Sequence, residues 1–109
     1  MDYVLGFMFT PDKEKVLLIK KTKPMWQAGH LNGIGGKIEK DEDGNDAMAR
    51  EFEEECGIKT NGDEWEHCVF HYRFGGDAFR LFVYRCFGDI TQAQHIEEEE
   101  PIVVEVANL

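Results

Sequence analysis

The stretch Gly36-Lys-Ile-Glu-Lys-Asp-Glu42-Asp-Gly-Asn-Asp-Ala-Met-Ala-Arg50-Glu51-Phe52-Glu53-Glu54-Glu55-Cys56-Gly57-Ile58 decides the fold. Its second half predicts a helix from about Asn45 to Cys56, with Asn45 or Asp43 as the N-cap and Gly57 as the left-handed residue that stops it. Ala49, Phe52 and Cys56 recur at i, i+3 and i+7 with Met48 alongside, a stripe made to face a core. On the opposite face Glu51, Glu54 and Glu55 stand at i, i+3 and i+4. These carboxylates repel one another. They also lie in the last turns, where the helix dipole disfavours anions by roughly 0.3 to 1 kcal/mol per charge. Arg50 is the one local cation that answers them. Hard oxygen ligands with no thiolate or imidazole among them suit Mg²⁺ or Mn²⁺ and not zinc, and a divalent ion turns the repulsion into coordination. The alternative is a solvated acidic face in a chain that is acidic throughout.

Outward from this segment, Tyr3 to Phe9, closed by Thr10-Pro11-Asp12, and Val16 to Lys20 form a strand pair around a turn. Trp65 to Phe74 and Ala78 to Phe87, with Gly75-Gly76-Asp77 between them, predict a long hairpin, and Ile102 to Val106 a short last strand after Pro101. The expected class is α/β (α+β), a mixed sheet of about five strands around one helix. A length of 109 residues bounds the chain to a single domain over 1–109.

The formal charge of −10 and the pI near 4.7 argue against a nucleic-acid backbone or an anionic membrane as partner, since both require a basic surface. An anionic nucleotide is compatible with them when metal ions mediate the contact. The N-terminus lacks the basic, apolar and small-residue order of a secretory signal, and no run reaches membrane-spanning length. Cys56, Cys68 and Cys86 are odd in number and lack metal-type spacing, which predicts reduced thiols in a cytoplasmic protein. His30, His67, His71 and His95 show no ligand spacing either. His67 and His71, on one strand, are expected to share a face without a third partner.

The quoted stretch resembles the Nudix box, G-x5-E-x7-R-E-U-x-E-E-x-G-U with U bulky and apolar. Gly36, Glu42, Arg50, Glu51, Glu54, Glu55 and Gly57 match its fixed positions, and Phe52 and Ile58 its apolar ones. Phe52 stands where the family more often has an aliphatic residue. The resemblance implies an α/β/α sandwich in which a second helix follows the last strand. This chain reaches Leu109 about where the loop to that helix begins, so the C-terminal helix is expected to be missing. An apolar sheet face left bare is an association site, which predicts a homo-oligomer, a dimer or larger.

The resemblance also implies metal-assisted hydrolysis of a phosphoanhydride. Glu51, Glu54 and Glu55 would hold Mg²⁺ or Mn²⁺ with the Gly36 carbonyl as a further oxygen ligand. Arg50 would orient Glu51 or Glu54, and Glu42 would fix the loop to the helix. The run Glu97-Glu98-Glu99-Glu100 taken alone is a solvated loop. In the family a glutamate from this region swings toward the metal. Aligned on Pro101 it is Glu98, with Glu97 and Glu99 as its rivals, and the general base is Glu54 or Glu98.

Asn32-Gly33-Ile34-Gly35-Gly36-Lys37 resembles the lead-in of the MutT-like members, which hydrolyse oxidised purine nucleoside triphosphates. In those relatives the asparagine reaches the base, a task suited to an amide with donor and acceptor side by side. Asn32 beside Gly33 is equally a turn residue. Trp26 is expected as a wall of the base pocket, or else as a core residue, and Lys37 as a phosphate contact, or else as a solvated lysine. The implied products are a nucleoside monophosphate and pyrophosphate. The alternatives are the same chemistry on another diphosphate, such as a nucleotide sugar or ADP-ribose, and a non-catalytic ligand-sensing domain.

Overall fold

Alternation in the first strand sets the sheet's two faces: Val4, Gly6 and Met8 are buried on one side while Tyr3, Leu5, Phe7 and Phe9 are half-buried on the other. The computed structural model describes residues 1–22, 25, 28–73 and 79–109, and of residues 70–73 the main chain alone. In chain order the elements are β1 (Asp2–Phe9), β2 (Lys15–Lys20), β3 (Leu31–Asn32), β4 (Ile34–Lys37), α1 (Gly44–Cys56), β5 (Glu66–Arg73), β6 (Phe79–Phe87) and β7 (Glu100–Glu105). Short 3₁₀ turns occupy Gly62–Glu64, Ile90–Gln92 and Val106–Asn108.

The strands join in one mixed sheet. β1 runs through its interior, parallel to β6 along its whole length from Asp2 opposite Arg80 to Phe9 opposite Phe87. It is antiparallel to β2, with Met8 opposite Leu17, and to β4, with Val4 opposite Gly36. β7 lies antiparallel to β2, β3 pairs with the end of β2, and β5 is antiparallel to β6.

Among the described residues the sheet has seven strands instead of about five. The two extra ones, β3 and β4, fall in the glycine-rich lead-in. Glycine is a poor strand former in sequence terms. Here it serves close approach, because a side chain on Gly35 would run into the main chain of Val4. Of the predicted Trp65–Phe74 and Ala78–Phe87 hairpin, Glu66–Arg73 and Phe79–Phe87 pair antiparallel; residues 74–78 lie outside the described residues.

α1 starts at Gly44, with Asp43 as its N-cap: the carboxylate accepts the Asp46 N–H at 2.8 Å. Asn45, the other candidate, instead donates its side-chain amide to the carbonyls of Gly62 and Trp65 at 3.0 and 2.9 Å, tying the helix start to the segment after it. Gly57 ends the helix at φ 79°, its N–H returning to the Glu53 carbonyl at 2.9 Å.

The buried stripe is Ala47, Met48, Phe52 and Cys56, and Ala49 is only half-buried. The helix is therefore turned slightly from the expected face. It presses on β1 and β4, where Met48 fills the space above Gly6. Phe52 meets Trp65 edge to face with ring centroids 5.0 Å apart, and full burial of such a ring contributes about 1.5–3 kcal/mol. The indole N–H of Trp65 donates to the Thr60 hydroxyl at 2.8 Å.

All three cysteines are free thiols. Cys56 and Cys86 are buried, which pushes both up to about 11. In β5 the register slips by one between His67 and Val69, so position 67 lies opposite Tyr84 and position 71 opposite Leu81. Their β6 partners have opposite parity, so positions 67 and 71 fall on opposite faces and the shared-face expectation fails at the bulge. His67 itself packs near the rings of Phe82 and Tyr84.

α1 covers one face of the sheet, and it is the one α-helix among the described residues. The other face carries Tyr3, Leu5, Phe7, Phe9, Leu81, Val83, Ile102 and Val104 under no helix, with Val69 and Phe87 exposed beside them. Among the described residues the sandwich thus has a single helical layer, consistent with the missing C-terminal helix. No described helix is long and apolar enough to cross a membrane.

Candidate active site

Arg50 projects from the middle of α1 and organises the first half of the acidic surface. Its guanidinium is bidentate to Glu42 at 2.8 and 2.9 Å. It also reaches Glu51 at 2.9 Å, Glu54 at 3.3 Å, Glu39 at 3.6 Å and the Lys37 carbonyl at 3.0 Å. Hydrogen bonding to Glu42 and Glu51 holds the guanidinium pKa above its ordinary value, and the same contact holds the Glu42 carboxyl below its own. Glu42 also accepts the Glu39 N–H at 3.1 Å. Loop 37–42 is therefore fixed to α1 through Glu42 and Arg50.

Glu51 lies against Gly36. Any Cβ at that position would collide with the Glu51 carboxyl, so the glycine is the space the carboxylate occupies. Burial pushes the Glu51 carboxyl up and Arg50 opposes the shift. Glu54 is the open member of the set, with 53% of its side chain exposed.

Glu55 faces the other way, into a cleft of about 260 Å³ lined by Lys21, Thr22, Glu97, Glu98 and Glu99 as well as itself. Its carboxyl is pushed up to about 7, first by burial and then by the charges of Glu99, Glu97 and Glu51, with Lys21 acting in the opposite sense. Loop 94–99 is brought here by the Gln94 N–H, which donates to the Cys56 carbonyl at 2.8 Å. Glu99 is then held by the Lys21 ammonium at 3.3 Å and the Thr22 N–H at 2.9 Å.

Within loop 94–99, Glu97 and Glu99 are thus the carboxylates whose charge bears on Glu55. Glu98 lines the same cleft, is exposed, and has its main-chain carbonyl 3.3 Å from His95 Nε2. The signal for Glu99 was the pairing of β7 with β2: Lys20 lies opposite Glu100, and the same register carried one step further sets Lys21 opposite Glu99. That signal is invisible until the strand partners are known.

Of the residues expected at the substrate, Asn32 is exposed at the end of β3 and its side-chain oxygen accepts the Gly33 N–H at 2.8 Å. Lys37 is exposed at the end of β4. Trp26 lies outside the described residues.

Among the described residues no three His, Cys, Asp or Glu side chains converge into a ready-made metal-binding group. The acidic surface is instead held in two halves, one on Arg50 and one on Lys21. The donor set still fits a hard divalent cation. It consists of carboxylates, one of them cradled on a glycine and another left half-buried among like charges.

A search of curated proteins finds no significant match. Among solved structures, the chain is similar to a MutT structure from work on Aliivibrio salmonicida and Vibrio cholerae, at 26% identity and TM-score 0.79 over 98% of this chain and 81% of that one. It is similar to the E. coli ORF135 protein at 26% identity and TM-score 0.72, over 94% of this chain and 70% of the other. The NUDIX domain of Shewanella oneidensis NrtR, complexed with ADP ribose, shares the fold at 19% identity and TM-score 0.78 over 99% of this chain and 74% of that chain. A family model described as NUDIX domain matches residues 2–108.

Proposed function

The chain belongs to the NUDIX domain family and is a Nudix hydrolase acting on phosphoanhydride bonds; from that premise we propose that it is a divalent-metal-dependent nucleoside triphosphate pyrophosphohydrolase whose substrates include oxidised purine nucleotides such as 8-oxo-dGTP. The observation that carries the catalytic part is the half-buried Glu55 in surplus negative charge, next along the helix from the Glu51–Gly36 cradle. The triphosphate part is supported by the Asn32-Gly33-Ile34 lead-in and by the likeness to MutT.

Glu51, Glu54 and Glu55, with the Gly36 carbonyl, would hold Mg²⁺ or Mn²⁺. When bound, such an ion lowers the pKa of water and neutralises charge on the phosphate oxygens. Arg50 keeps Glu51 and Glu54 in one orientation through its contacts at 2.9 and 3.3 Å. Glu54, open to solvent and beside that cation, accepts the proton of the attacking water, and Glu98 is its alternative from the cleft rim. Attack breaks the anhydride to give a nucleoside monophosphate and pyrophosphate. Lys37 lies at the substrate side as a phosphate contact, Asn32 reads the base, and Trp26 walls the pocket.

A second reading, hydrolysis of another diphosphate such as ADP-ribose or a nucleotide sugar, is favoured by the fold shared with the NrtR domain, whose structure contains ADP ribose. Nucleoside triphosphates, 8-oxo-dGTP, ADP-ribose and nucleotide sugars offered with Mg²⁺ separate the two. Preference for 8-oxo-dGTP over dGTP, with pyrophosphate released, is the expected result. Turnover of the conjugates alone moves the assignment to the second reading. Silence across the panel with metal bound overturns both.

A further inference from the structure

Among the described residues two basic side chains answer the acidic surface, and they are built differently. Arg50 grips Glu42 with both arms of its guanidinium, an arrangement that an incoming cation does not easily undo. Lys21 offers Glu99 a single ammonium at 3.3 Å, a compact charge on a flexible stem. The root of that stem is fixed. The Lys21 N–H donates to the His30 carbonyl, and the Lys21 carbonyl accepts the Gly29 N–H, both at 2.8 Å.

From this root the Lys21-Thr22 segment engages both oxygens of Glu99, the ammonium taking one and the Thr22 N–H the other. Lys21 is also the basic residue lining the cleft that holds Glu55, Glu97 and Glu98. Resting on the metal-site reading above, we propose that Lys21 is a tethered counter-ion: in the metal-free protein it holds Glu99 beside Glu55, and it gives up that carboxylate when a divalent cation binds there. Lys21 is then a positioning residue with two opposed effects. It keeps loop 94–99 folded against the end of α1 when only like charges face one another, and it competes with the metal for the same oxygen atoms.

Mn²⁺ titration followed by paramagnetic resonance of the free ion, at low salt, tests this on the wild type, Lys21→Met, Lys21→Arg and Glu55→Gln. Lys21→Met is expected to bind Mn²⁺ roughly threefold to tenfold more tightly, since a like charge next to the ion has been removed. Its metal-free form should melt at a lower temperature and gain more from saturating Mn²⁺, while Lys21→Arg restores wild-type behaviour. Lys21→Gln serves in place of Lys21→Met if the latter does not fold. Unchanged or weaker Mn²⁺ binding by the neutral variants overturns the counter-ion role, provided Glu55→Gln still loses binding. If Glu55→Gln binds as the wild type does, the metal-site reading itself is overturned.

Discussion

Glu55 holds a proton in the folded chain at pH values where the unfolded chain has lost it, because burial and the charges of Glu99, Glu97 and Glu51 raise its carboxyl to about 7 from an ordinary 4.5. Between those two values the folded state binds more protons than the unfolded state, so this group destabilises the metal-free protein progressively as pH rises through the window, and fully above it. Glu55→Gln is therefore expected to melt a few degrees higher than the wild type at pH 8 in EDTA and to match it at pH 4. Thermal unfolding at both pH values checks this; equal melting at pH 8 removes the charge-crowding account. Glu54 differs in kind, being open and touched by Arg50. Glu54→Gln should keep its far-UV circular dichroism and lose ~10² to 10⁴-fold in kcat. Near-normal turnover rejects it as the base. Cys56→Ala, which removes a buried thiol that donates to the Phe52 carbonyl, should remain active in the same assay.

At the level of elements, the helix was legible to within a residue because its signals are local: a cap, an apolar stripe and a terminal glycine all act within one or two turns. The lead-in was not legible as strand. Gly35 and Gly36 carry no strand signal, and their pairing with β1 is a consequence of close packing that only the tertiary structure reveals. The site divides in the same way. Helical spacing puts Glu51, Glu54 and Glu55 on one face with Arg50 beside them and the box resemblance marks them as a site, whereas the pairing of Glu99 with Lys21 emerges only from the β2–β7 register. The glycine cradle supplies a test at this scale. Gly36→Ala puts a methyl group into the space of the Glu51 carboxyl, so it should leave the sheet intact and lower kcat/KM by about 10- to 100-fold, as for other disturbances around a metal ligand. Steady-state kinetics beside circular dichroism decides it; unchanged kinetics means that the Glu51 carboxyl need not rest there.

The described residues form one sheet that they cover with a helix on one side only. The bare side presents contiguous aromatic and aliphatic groups from β1, β6 and β7, with Val69 and Phe87 exposed at its margin. We propose that two or more copies associate through it, and light scattering at micromolar concentration should return a mass above that of one chain; the mass of a single chain rejects association. We also propose that residues 1–109 are one cooperative domain, since α1, β1, β2, β4 and β6 share a single buried cluster and β3, β5 and β7 are hydrogen-bonded into the same sheet.

The long pairing of β1 with β6 has a kinetic consequence. During synthesis β1 emerges well before its full-length neighbour, which begins at Phe79, long after β1 ends at Phe9. Until then the strand destined for the centre of the sheet keeps one flank of main-chain hydrogen-bonding groups open to any other strand nearby. Nucleation must wait for this distant partner, which makes assembly slow for so small a protein and leaves the nascent chain dependent on shielding while it waits.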